Sequence, residues 1–319
     1  MKGYRFRRPG WELPERSVTP ENAHLGRRDF LRRLAAGGMG TAAVLAGWRP
    51  LLALTPGPDA RLTGARGDHR FGPEQPLTAE SLATRHTNFF EFTPRKDQVA
   101  DRAAALQVKP WRIQVDGLVR KPLVLELDDL RRRMRLEERV YRHRCVEAWA
   151  MVIPWLGFPL SALLALAEPM PQARFVRFVS VEVPRELQSV PSSILPRPYC
   201  EGLTVQEATH ELTLLAVGMY GKDLTKQNGA PVRLVVPWKY GYKGAKSVVR
   251  IELVEARPTT FWQQLLPSDY LFEANVDPAR SSPLWPQATE VLLGSGERRP
   301  TRLYNGYGDW VGRLYGPGG

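Results

Sequence analysis

The chain has 319 residues, which suits one large domain or two modest ones, and 43% of them are hydrophobic. A chain of this size can bury a core without covalent cross-links, and its two cysteines are too few for a disulfide framework. The net charge of +12 favours an acidic partner such as nucleic acid, an anionic membrane surface or a phosphate-bearing cofactor. Because the basic residues are scattered and no nucleic-acid-binding motif occurs, we expect no nucleic-acid partner.

Residues 1–54 have the features of an export signal. Arg27 and Arg28 begin the sequence RRDFLR, which resembles the twin-arginine export pattern R-R-x-F-L-K with Arg32 in place of the usual lysine. The apolar stretch that follows, residues 34–47, is shorter than the roughly 20 residues of a transmembrane helix. We therefore expect a signal over residues 1–54, export of the folded protein to the periplasm, and a mature domain over residues 55–319. A retained membrane anchor and a chance basic–apolar junction are the alternatives.

Strand patterns recur in the mature part, with short helices between them. After an irregular lead-in over residues 55–87, the residue pattern predicts strands at 111–115, 124–127, 174–183, 232–236 and 247–254, and a turn at Asp116-Gly117. Helices are predicted from Asp128 or Asp129 through Arg135, and over residues 158–167. No glycine-rich nucleotide-binding fingerprint follows a strand. This order predicts an α+β fold with a mixed, β-rich core and short helices.

The segment around Cys145 is the leading candidate for chemistry. Its neighbours are Arg142, His143 and Arg144, and positive neighbours stabilise a thiolate over a thiol. A thiolate is the ligand that a soft metal prefers. The alternatives are a buried, unreactive cysteine and a disulfide with Cys200 in an oxidising compartment. No zinc-type spacing of cysteines and histidines occurs in the sequence, so we expect no zinc site.

Two further segments are candidates for ligand binding. Residues 226–246, KQNGAPVRLVVPWKYGYKGAK, surround an apolar strand with glycines, amides and basic side chains. Glycines let backbone N–H groups approach an anion, Arg233 offers a planar fork suited to phosphate, and Lys246 adds a point charge. An exposed basic loop around an ordinary hairpin is the alternative. Residues 87–92, TNFFEF, combine aromatic residues with an amide and a carboxylate, and aromatic residues at this spacing are more typical of a core.

Several blocks of sequence together resemble the molybdopterin domain of the sulfite-oxidase superfamily. Within it, they are most similar to the catalytic subunits of periplasmic protein-methionine-sulfoxide reductases. The blocks run in the same order from about residue 87 to residue 315, so the resemblance covers essentially the whole mature chain. It implies a sulfite-oxidase-type molybdopterin-binding fold with a molybdenum–molybdopterin cofactor. The blocks are NFFEF, DGLVRKPL, LEERVYRHRC, RCVEAWAMVIPWLGFPLSALLALAEP, QNGAPVRLVVPWKYGYKGAKS and YNGYGDWVGRLY.

The resemblance implies roles for individual residues. Cys145 matches the thiolate that holds molybdenum together with the pterin dithiolene, so it is the expected metal ligand and catalytic residue. The family often reads YNNFYE in the first block, so Thr87 and Phe90 depart from it, and their side-chain hydrogen bonds to the cofactor are in question. Ser180 keeps a hydroxyl where threonine is common, and Cys200 matches no site. The expected cofactor contacts are Thr87, Asn88, Phe90, Glu91, Cys145, Ser180, Asn228, Arg233, Gly244, Ala245 and Lys246.

The activity that the resemblance implies is oxygen-atom transfer from methionine sulfoxide, free or in oxidised periplasmic proteins, which restores methionine. Because no nicotinamide motif is present, electrons are expected from a membrane partner, in this family a haem-bearing subunit linked to quinol. No immunoglobulin-like dimerisation domain is recognisable, so a monomeric catalytic subunit is expected. The alternatives are a sulfite oxidase of the same fold, which would call for several arginines at the metal, and a cofactor-free basic exported binding protein.

Replacing both Arg27 and Arg28 by lysine should block export of the folded, cofactor-loaded protein, because the twin-arginine route reads the paired guanidiniums of the signal. The measurement is the molybdenum-containing protein recovered from periplasmic and cytoplasmic fractions. Metal-loaded double mutant in the periplasm would show that these residues are not an export signal.

Overall fold

Runs of apolar and β-branched residues build two mixed β-sheets in the computed structural model, which describes residues 66–68, 71–73, 75–190, 195–280, 282 and 284–316. The predicted export signal, residues 1–54, lies outside these residues. All described residues belong to one compact unit. Within them no helix is both long and apolar enough to cross a bilayer.

The described part of the chain contains thirteen strands. They are β1 (Arg66–Asp68), β2 (Arg112–Gly117), β3 (Leu123–Glu126), β4 (Glu137–Arg144), β5 (Trp149–Pro159), β6 (Phe175–Ser180), β7 (Cys200–Thr204), β8 (Leu214–Met219), β9 (Lys222–Asp223), β10 (Arg233–Val235), β11 (Val248–Val254), β12 (Thr289–Leu292) and β13 (Arg298–Pro300).

Eight of these strands form the larger sheet, in the order β1-β4-β5-β12-β13, with β8 also paired to β5, β9 and β10. In it β1 runs parallel to β4 and β12 parallel to β5, and the other pairs are antiparallel. The remaining five form the second sheet, in the order β3-β2-β11-β6-β7, in which β2 and β11 are parallel. The buried apolar residues of both sheets belong to one cluster, which includes Ile113, Trp155, Phe178 and Ile251.

The helices of the described residues are short, and three of the α-helices directly follow a strand. The longest, eight residues, follows β5 and buries Leu160, Leu163 and Leu164 against the main core. The α-helices are α1 (Glu80–Ala83), α2 (Val99–Ala103), α3 (Leu127–Arg133), α4 (Leu160–Ala167), α5 (Val205–Thr209), α6 (Phe261–Leu265) and α7 (Gly308–Val311). Single 3₁₀ turns occur at Lys96–Gln98, Arg185–Leu187, Lys226–Asn228, Gly241–Lys243, Leu303–Gly306 and Gly312–Leu314.

The predicted α+β class is confirmed, and the five predicted strands are confirmed as β2, β3, β6, β10 and β11 with shifted ends. The turn predicted at Asp116-Gly117 is wrong, because the parallel pairing of β2 with β11 continues through Gly117 opposite Leu253. Asp128 and Asp129 lie in the first turn of α3 and do not cap it, since the helix begins at Leu127. The lead-in predicted to be irregular contains β1 and α1.

The two strands that flank Cys145 were not predicted. β4 is rich in charged residues, yet several of them are buried, so it lacks an alternation of apolar and polar residues. β5 is buried along nearly its whole length, and a strand covered on both faces reads as a continuous apolar run. For the same reason the helix predicted over 158–167 begins only at Leu160, because Phe158 and Pro159 still pair with β8.

Gly157→Ala should destabilise the contact of β5 with β8. A Cβ at Gly157 would lie 2.2 Å from the Leu215 carbonyl oxygen and 2.8 Å from Ala216 Cα, and backbone atoms cannot move aside as a side chain can. Overpacking of this kind costs about 1–3 kcal/mol in the free energy of unfolding, measurable by urea unfolding. Gly312→Ala is the matched control, because its helical backbone has open space around the new methyl group. Equal unfolding midpoints for the two variants would contradict this account.

Candidate functional site

Cys145 lies at the start of the tight turn between β4 and β5. The Cys145 N–H donates to the Trp149 carbonyl (2.9 Å), and the Ala148 N–H donates back to the Cys145 carbonyl (3.1 Å). Ala148 closes the turn with φ of 66°, a left-handed conformation that costs an L-residue other than glycine about 1–2 kcal/mol. The surrounding structure must therefore hold the turn in place.

The carbonyl groups of this turn are tied to neighbouring elements. Val291 N on β12 donates to the Ala148 carbonyl (2.8 Å), and Gln287 Nε2 donates to the Val146 carbonyl (2.8 Å). Arg144 Nη1 donates to the Cys145 carbonyl. Three carbonyls of a four-residue turn are thus held from outside the turn or from the adjoining strand, so the position of the Cys145 side chain is closely defined.

A cleft with about 840 Å³ of empty space, partly open to solvent, lies beside Cys145. Most of its lining comes from three parts of the chain: the segment around and after α1, the turn between β4 and β5 with the first half of β5, and the segment from Asn228 to Lys246. Tyr199, Trp262 and Tyr270 complete the lining from other parts of the chain. Of the eleven expected cofactor contacts, nine line this cleft: Thr87, Asn88, Phe90, Glu91, Cys145, Asn228, Arg233, Gly244 and Lys246.

The other two expected contacts, Ser180 and Ala245, do not line the cleft. Ser180 ends β6 one layer behind it, where its N–H donates to the carbonyl of the lining residue Tyr199 (3.0 Å). Its hydroxyl oxygen is buried without a hydrogen-bond partner among the described residues. Ala245 is fully buried, and its carbonyl accepts from Leu234 N (2.9 Å). Both residues border the cleft through their neighbours.

Arg233, which is buried, and Lys246, which is partly buried, place two cations in the cleft. The Arg233 guanidinium donates to the backbone carbonyls of Asn228 (3.1 Å), Leu234 (3.4 Å) and Gly244 (3.5 Å), which are neutral acceptors. Burial lowers the pKa of Arg233 to about 10. Burial, and then the charge of Arg233, lower the pKa of Lys246 well below its usual range. An anion beside these groups would favour their charged forms, so the pair is suited to a phosphate.

Two glycines make room for these cations. A Cβ at Gly244 would lie 2.8 Å from Arg233 Nη2 and 2.7 Å from the Leu234 carbonyl oxygen. Gly229 has φ of 99°, and a Cβ there would lie 2.8 Å from Lys246 Cγ. The expectation that glycines in this segment let backbone N–H groups approach an anion stays a prediction. The groups that approach Gly229 and Gly244 in this structure are the protein's own basic side chains.

The segment over residues 87–92 is joined to the cationic pair. Lys246 Nζ donates to Thr87 Oγ1 (3.0 Å) and to the Asn88 carbonyl, so the Thr87 hydroxyl has a partner within the protein. Burial raises the pKa of Glu91 well above its usual range. The core interpretation holds for part of this segment, because Phe89 and Phe92 pack in a small cluster with Val99, whereas Phe90 lines the cleft.

The sequence argument for a thiolate at Cys145 is wrong for the protein alone. Burial, and then the nearby Glu147 carboxylate, raise the pKa of the Cys145 thiol to about 12. Strand alternation turns Arg142 and Arg144 toward Glu290 (3.0 and 3.1 Å), and burial holds the pKa of His143 at about 3, which leaves it neutral. A thiolate here depends on a bound metal cation, which deprotonates a coordinating thiol.

The alternative interpretations of these segments are also decided. Both cysteines are free, and Cys200 lies in the second sheet, where its Sγ accepts from Arg177 Nη2 (3.4 Å), so no disulfide joins it to Cys145. The basic segment is not an exposed loop, because Arg233 and Lys239 are 4% and 2% exposed. Within the described residues, no group of three or more histidine, cysteine or carboxylate side chains is arranged to hold a metal.

Several lining residues were not identified from the sequence. His86 packs edge-on against Trp149 at 4.8 Å, and Trp155 stacks under Arg233 with the guanidinium 5.0 Å from the ring centre. Trp262 and Tyr270 stack at 4.8 Å and form one wall of the cleft. These residues lie outside the compact motifs or inside apolar runs, so no local pattern distinguished them from ordinary core residues.

The polar atoms of the cleft test whether a pterin cofactor fits. Among the described residues, His86 Nε2, Asn88 Oδ1 and Trp155 Nε1 are buried without a hydrogen-bond partner. An unpaired buried polar atom costs about 1–3 kcal/mol. Asn88 Nδ2 contacts Cys145 Sγ (3.5 Å), so unpaired donors and acceptors, two cations and the thiol surround the same space. This set fits a polar, phosphate-bearing ligand that carries a metal to the cysteine.

Comparison with known proteins agrees with this chemistry. A family model described as an oxidoreductase molybdopterin binding domain matches residues 100–262. The chain is 44% identical over 313 residues to the protein-methionine-sulfoxide reductase catalytic subunit MsrP of Burkholderia mallei. The alignment covers 96% of this chain and 94% of that protein. The crystal structure of the sulfane dehydrogenase SoxCD from Paracoccus pantotrophus is similar with 21% identity and a TM-score of 0.40, over 63% of this chain and 47% of that one.

Arg233→Ala should lower the molybdenum and pterin content of the purified protein. It removes a buried donor whose charged hydrogen bonds are worth about 1.5–3 kcal/mol, or roughly 10- to 100-fold in affinity. Arg233→Lys should restore only part of the content, because the planar fork is lost. Arg250→Ala is the control, since Arg250 pairs with Asp116 on the second sheet (3.0 Å) away from the cleft. Full cofactor content in Arg233→Ala would refute the role of Arg233.

Proposed function

The chain belongs to the molybdopterin-binding oxidoreductases and, within them, to the family of protein-methionine-sulfoxide reductase catalytic subunits, and from this we propose that it reduces methionine sulfoxide with a molybdenum–molybdopterin cofactor held in the cleft beside Cys145. One observation carries the placement of the cofactor. The thiol of Cys145, the cations Arg233 and Lys246, and several unpaired polar atoms all line the same cleft.

Different residues of the cleft would bind different parts of the cofactor. Cys145 would ligate the molybdenum, and Arg233 and Lys246 would bind the phosphate of the pterin. Asn88 and His86 offer buried atoms without partners to the polar edges of the ring system. When bound, the cofactor supplies the two-electron oxygen-atom transfer chemistry, and the protein supplies ligation, charge and orientation.

The polypeptide orients the ligand and excludes water. Asn88 Nδ2 (3.5 Å) and Glu147 N (3.4 Å) both point at Cys145 Sγ, and donors of this kind fix the direction of a sulfur ligand. Only 6% of the Cys145 surface is exposed, so water reaches the sulfur poorly. The aromatic wall of Phe90, Trp262 and Tyr270 offers apolar ring faces and edges, which suit the side chain of methionine.

The cleft favours a neutral sulfoxide over a sulfite anion as substrate. Sulfite would call for several arginines near the metal, and among the described residues Arg233 is the only arginine that lines the cleft. Arg142 and Arg144, which flank Cys145 in sequence, are bound to Glu290 on the other face of β4. These two arginines are therefore not available to bind sulfite in the cleft.

The protein works as a catalytic subunit, which implies a partner subunit and protein substrates. We further propose that the partner is a haem-bearing, quinol-linked membrane protein that supplies the electrons. The twin-arginine signal proposed for residues 1–54 would deliver the folded domain of residues 55–319 to the periplasm as a monomer. The RRDFLR motif at residues 27–32 supports this location, because the twin-arginine route carries proteins that fold before export.

Cys145→Ser should keep the fold, since one sulfur-to-oxygen change alters little volume, and should keep much of the pterin. Turnover of methionine sulfoxide should fall by roughly 100-fold or more. Mutating a residue that only supports a metal ligand costs about 10- to 100-fold in activity, and losing the ligand itself should cost more. The measurements are molybdenum and pterin content, melting temperature and a reduced-dye assay with methionine sulfoxide and with sulfite.

Cys200→Ser is the matched control and should retain activity, because Cys200 is equally buried but lies in the other sheet. Activity intact in Cys145→Ser would refute the assignment of Cys145 as the metal ligand. A higher rate with sulfite than with methionine sulfoxide in the wild-type protein would refute the proposed substrate.

A further inference from the structure

A buried charge cluster lies directly behind the Cys145 turn and outside the cleft. Its centre is Glu290 on β12, whose side chain is fully buried. Three guanidiniums surround this one carboxylate: Arg142 Nη2 at 3.0 Å, Arg144 Nε at 3.1 Å and Arg299 Nε at 2.7 Å. Three guanidiniums around one carboxylate leave an excess of positive charge, and none of the four residues lines the cleft beside Cys145.

The cluster is connected to Cys145 through Arg144. Its Nη1 donates to the Cys145 carbonyl, while its Nη2 lies within 3.3–3.4 Å of the Thr289 carbonyl, Gln287 Oε1 and Thr301 Oγ1. Its Nε lies 3.1 Å from the Glu290 carboxylate as an ion pair, without a hydrogen bond. A planar guanidinium whose two terminal nitrogens both donate cannot rotate without losing contacts, so it fixes the peptide group that follows Cys145.

Sequence and sheet geometry explain why the cluster is there. Successive side chains of a strand point to opposite faces, so Arg142 and Arg144 share one face of β4, while His143 between them faces the cleft. β12 lies beside β5 with Val291 opposite Trp149, which brings Glu290 beneath the turn. The same strand holds the turn directly through Val291 N and the Ala148 carbonyl (2.8 Å).

We propose that Arg144 and Glu290 are positioning residues for Cys145: they hold the backbone of the metal ligand and place excess positive charge behind its sulfur. This rests on the proposed function, because it takes Cys145 as the ligand of molybdenum. Fixing the Cys145 carbonyl fixes the direction of its Cα–Cβ bond, and hence the angle at which Sγ meets the metal. Positive charge behind an anionic ligand stabilises the more electron-rich state of the centre, which raises its reduction potential.

The test compares Arg144→Lys with Arg139→Lys in the cofactor-loaded enzyme. Arg139 lies on the same strand, is 3% exposed and pairs with Glu137, so it matches Arg144 in burial and ion pairing. Its other partners are Tyr141 Oη (2.8 Å) and the Glu211 carbonyl, away from Cys145. The readouts are molybdenum per chain, the electron paramagnetic resonance spectrum of the metal centre, and kcat and KM for methionine sulfoxide per molybdenum.

Lysine keeps the charge at residue 144 but loses the planar fork that reaches the Cys145 carbonyl. Arg144→Lys should therefore change the resonance spectrum and lower kcat per molybdenum by about 10- to 100-fold, with KM unchanged. Arg139→Lys should lower the melting temperature to a similar extent and leave spectrum and kcat as in the wild type. A wild-type spectrum and kcat in Arg144→Lys, or equal changes in both variants, would overturn the proposal.

If Arg144→Lys does not fold or load, Thr301→Val decides the question, because it removes one contact of the Arg144 guanidinium (3.3 Å) with almost no change in volume. It should shift the resonance spectrum away from that of the wild type, and an unshifted spectrum would overturn the proposal. Failure of the proposed function looks different. In that case wild-type protein would lack molybdenum, or its spectrum would be indifferent to Cys145→Ser.

Discussion

Positive charge buried on both sides of one tight turn is the constraint on which the rest of this structure depends. On the cleft side, Arg233 is buried and Lys246 is partly buried, with neutral acceptors as their hydrogen-bond partners. On the far side, three arginines share Glu290. Burial of charge is costly unless it is paired, so an anionic ligand would stabilise the cleft side, whereas the far side carries part of its own counter-charge.

This division separates binding from positioning. The residues proposed to bind the cofactor come from the 87–92 segment and from the segment between β9 and β11, and Lys246 joins the two through Thr87. The residues that hold Cys145 come from β4, β12 and the loop before β12. Because two different sets of contacts converge on the turn, a change in one set need not disturb the other. The same cysteine can thus be rigid in the protein and still open to the cofactor on one face.

The structure also explains why the usual interpretation of two sequence patterns does not hold in this protein. An arginine beside a cysteine suggests a lowered thiol pKa, but on a strand the neighbours at i−1 and i−3 point away from the residue that faces the cleft. Burial then raises the pKa of the Cys145 thiol, so the thiolate would form only when a metal binds to it. A basic, glycine-rich segment suggests a solvated loop, but here its cations are among the most buried side chains of the molecule.

The sequence by itself determined the α+β class and five of the strands, and its resemblance to a known family predicted the metal-ligating cysteine and the cofactor contacts. The blocks that carry the resemblance are short stretches of sequence, so they can be recognised without knowledge of the fold. Only the tertiary structure decided that nine of those contacts share one cleft, that Ser180 and Ala245 lie behind it, and that β4 and β5 are strands. It alone revealed Glu290, which is 145 residues from Cys145 and reaches it through the pairing of β12 with β5. No local pattern encodes such a contact, because strand pairing between distant segments and the burial of charge are properties of the folded chain.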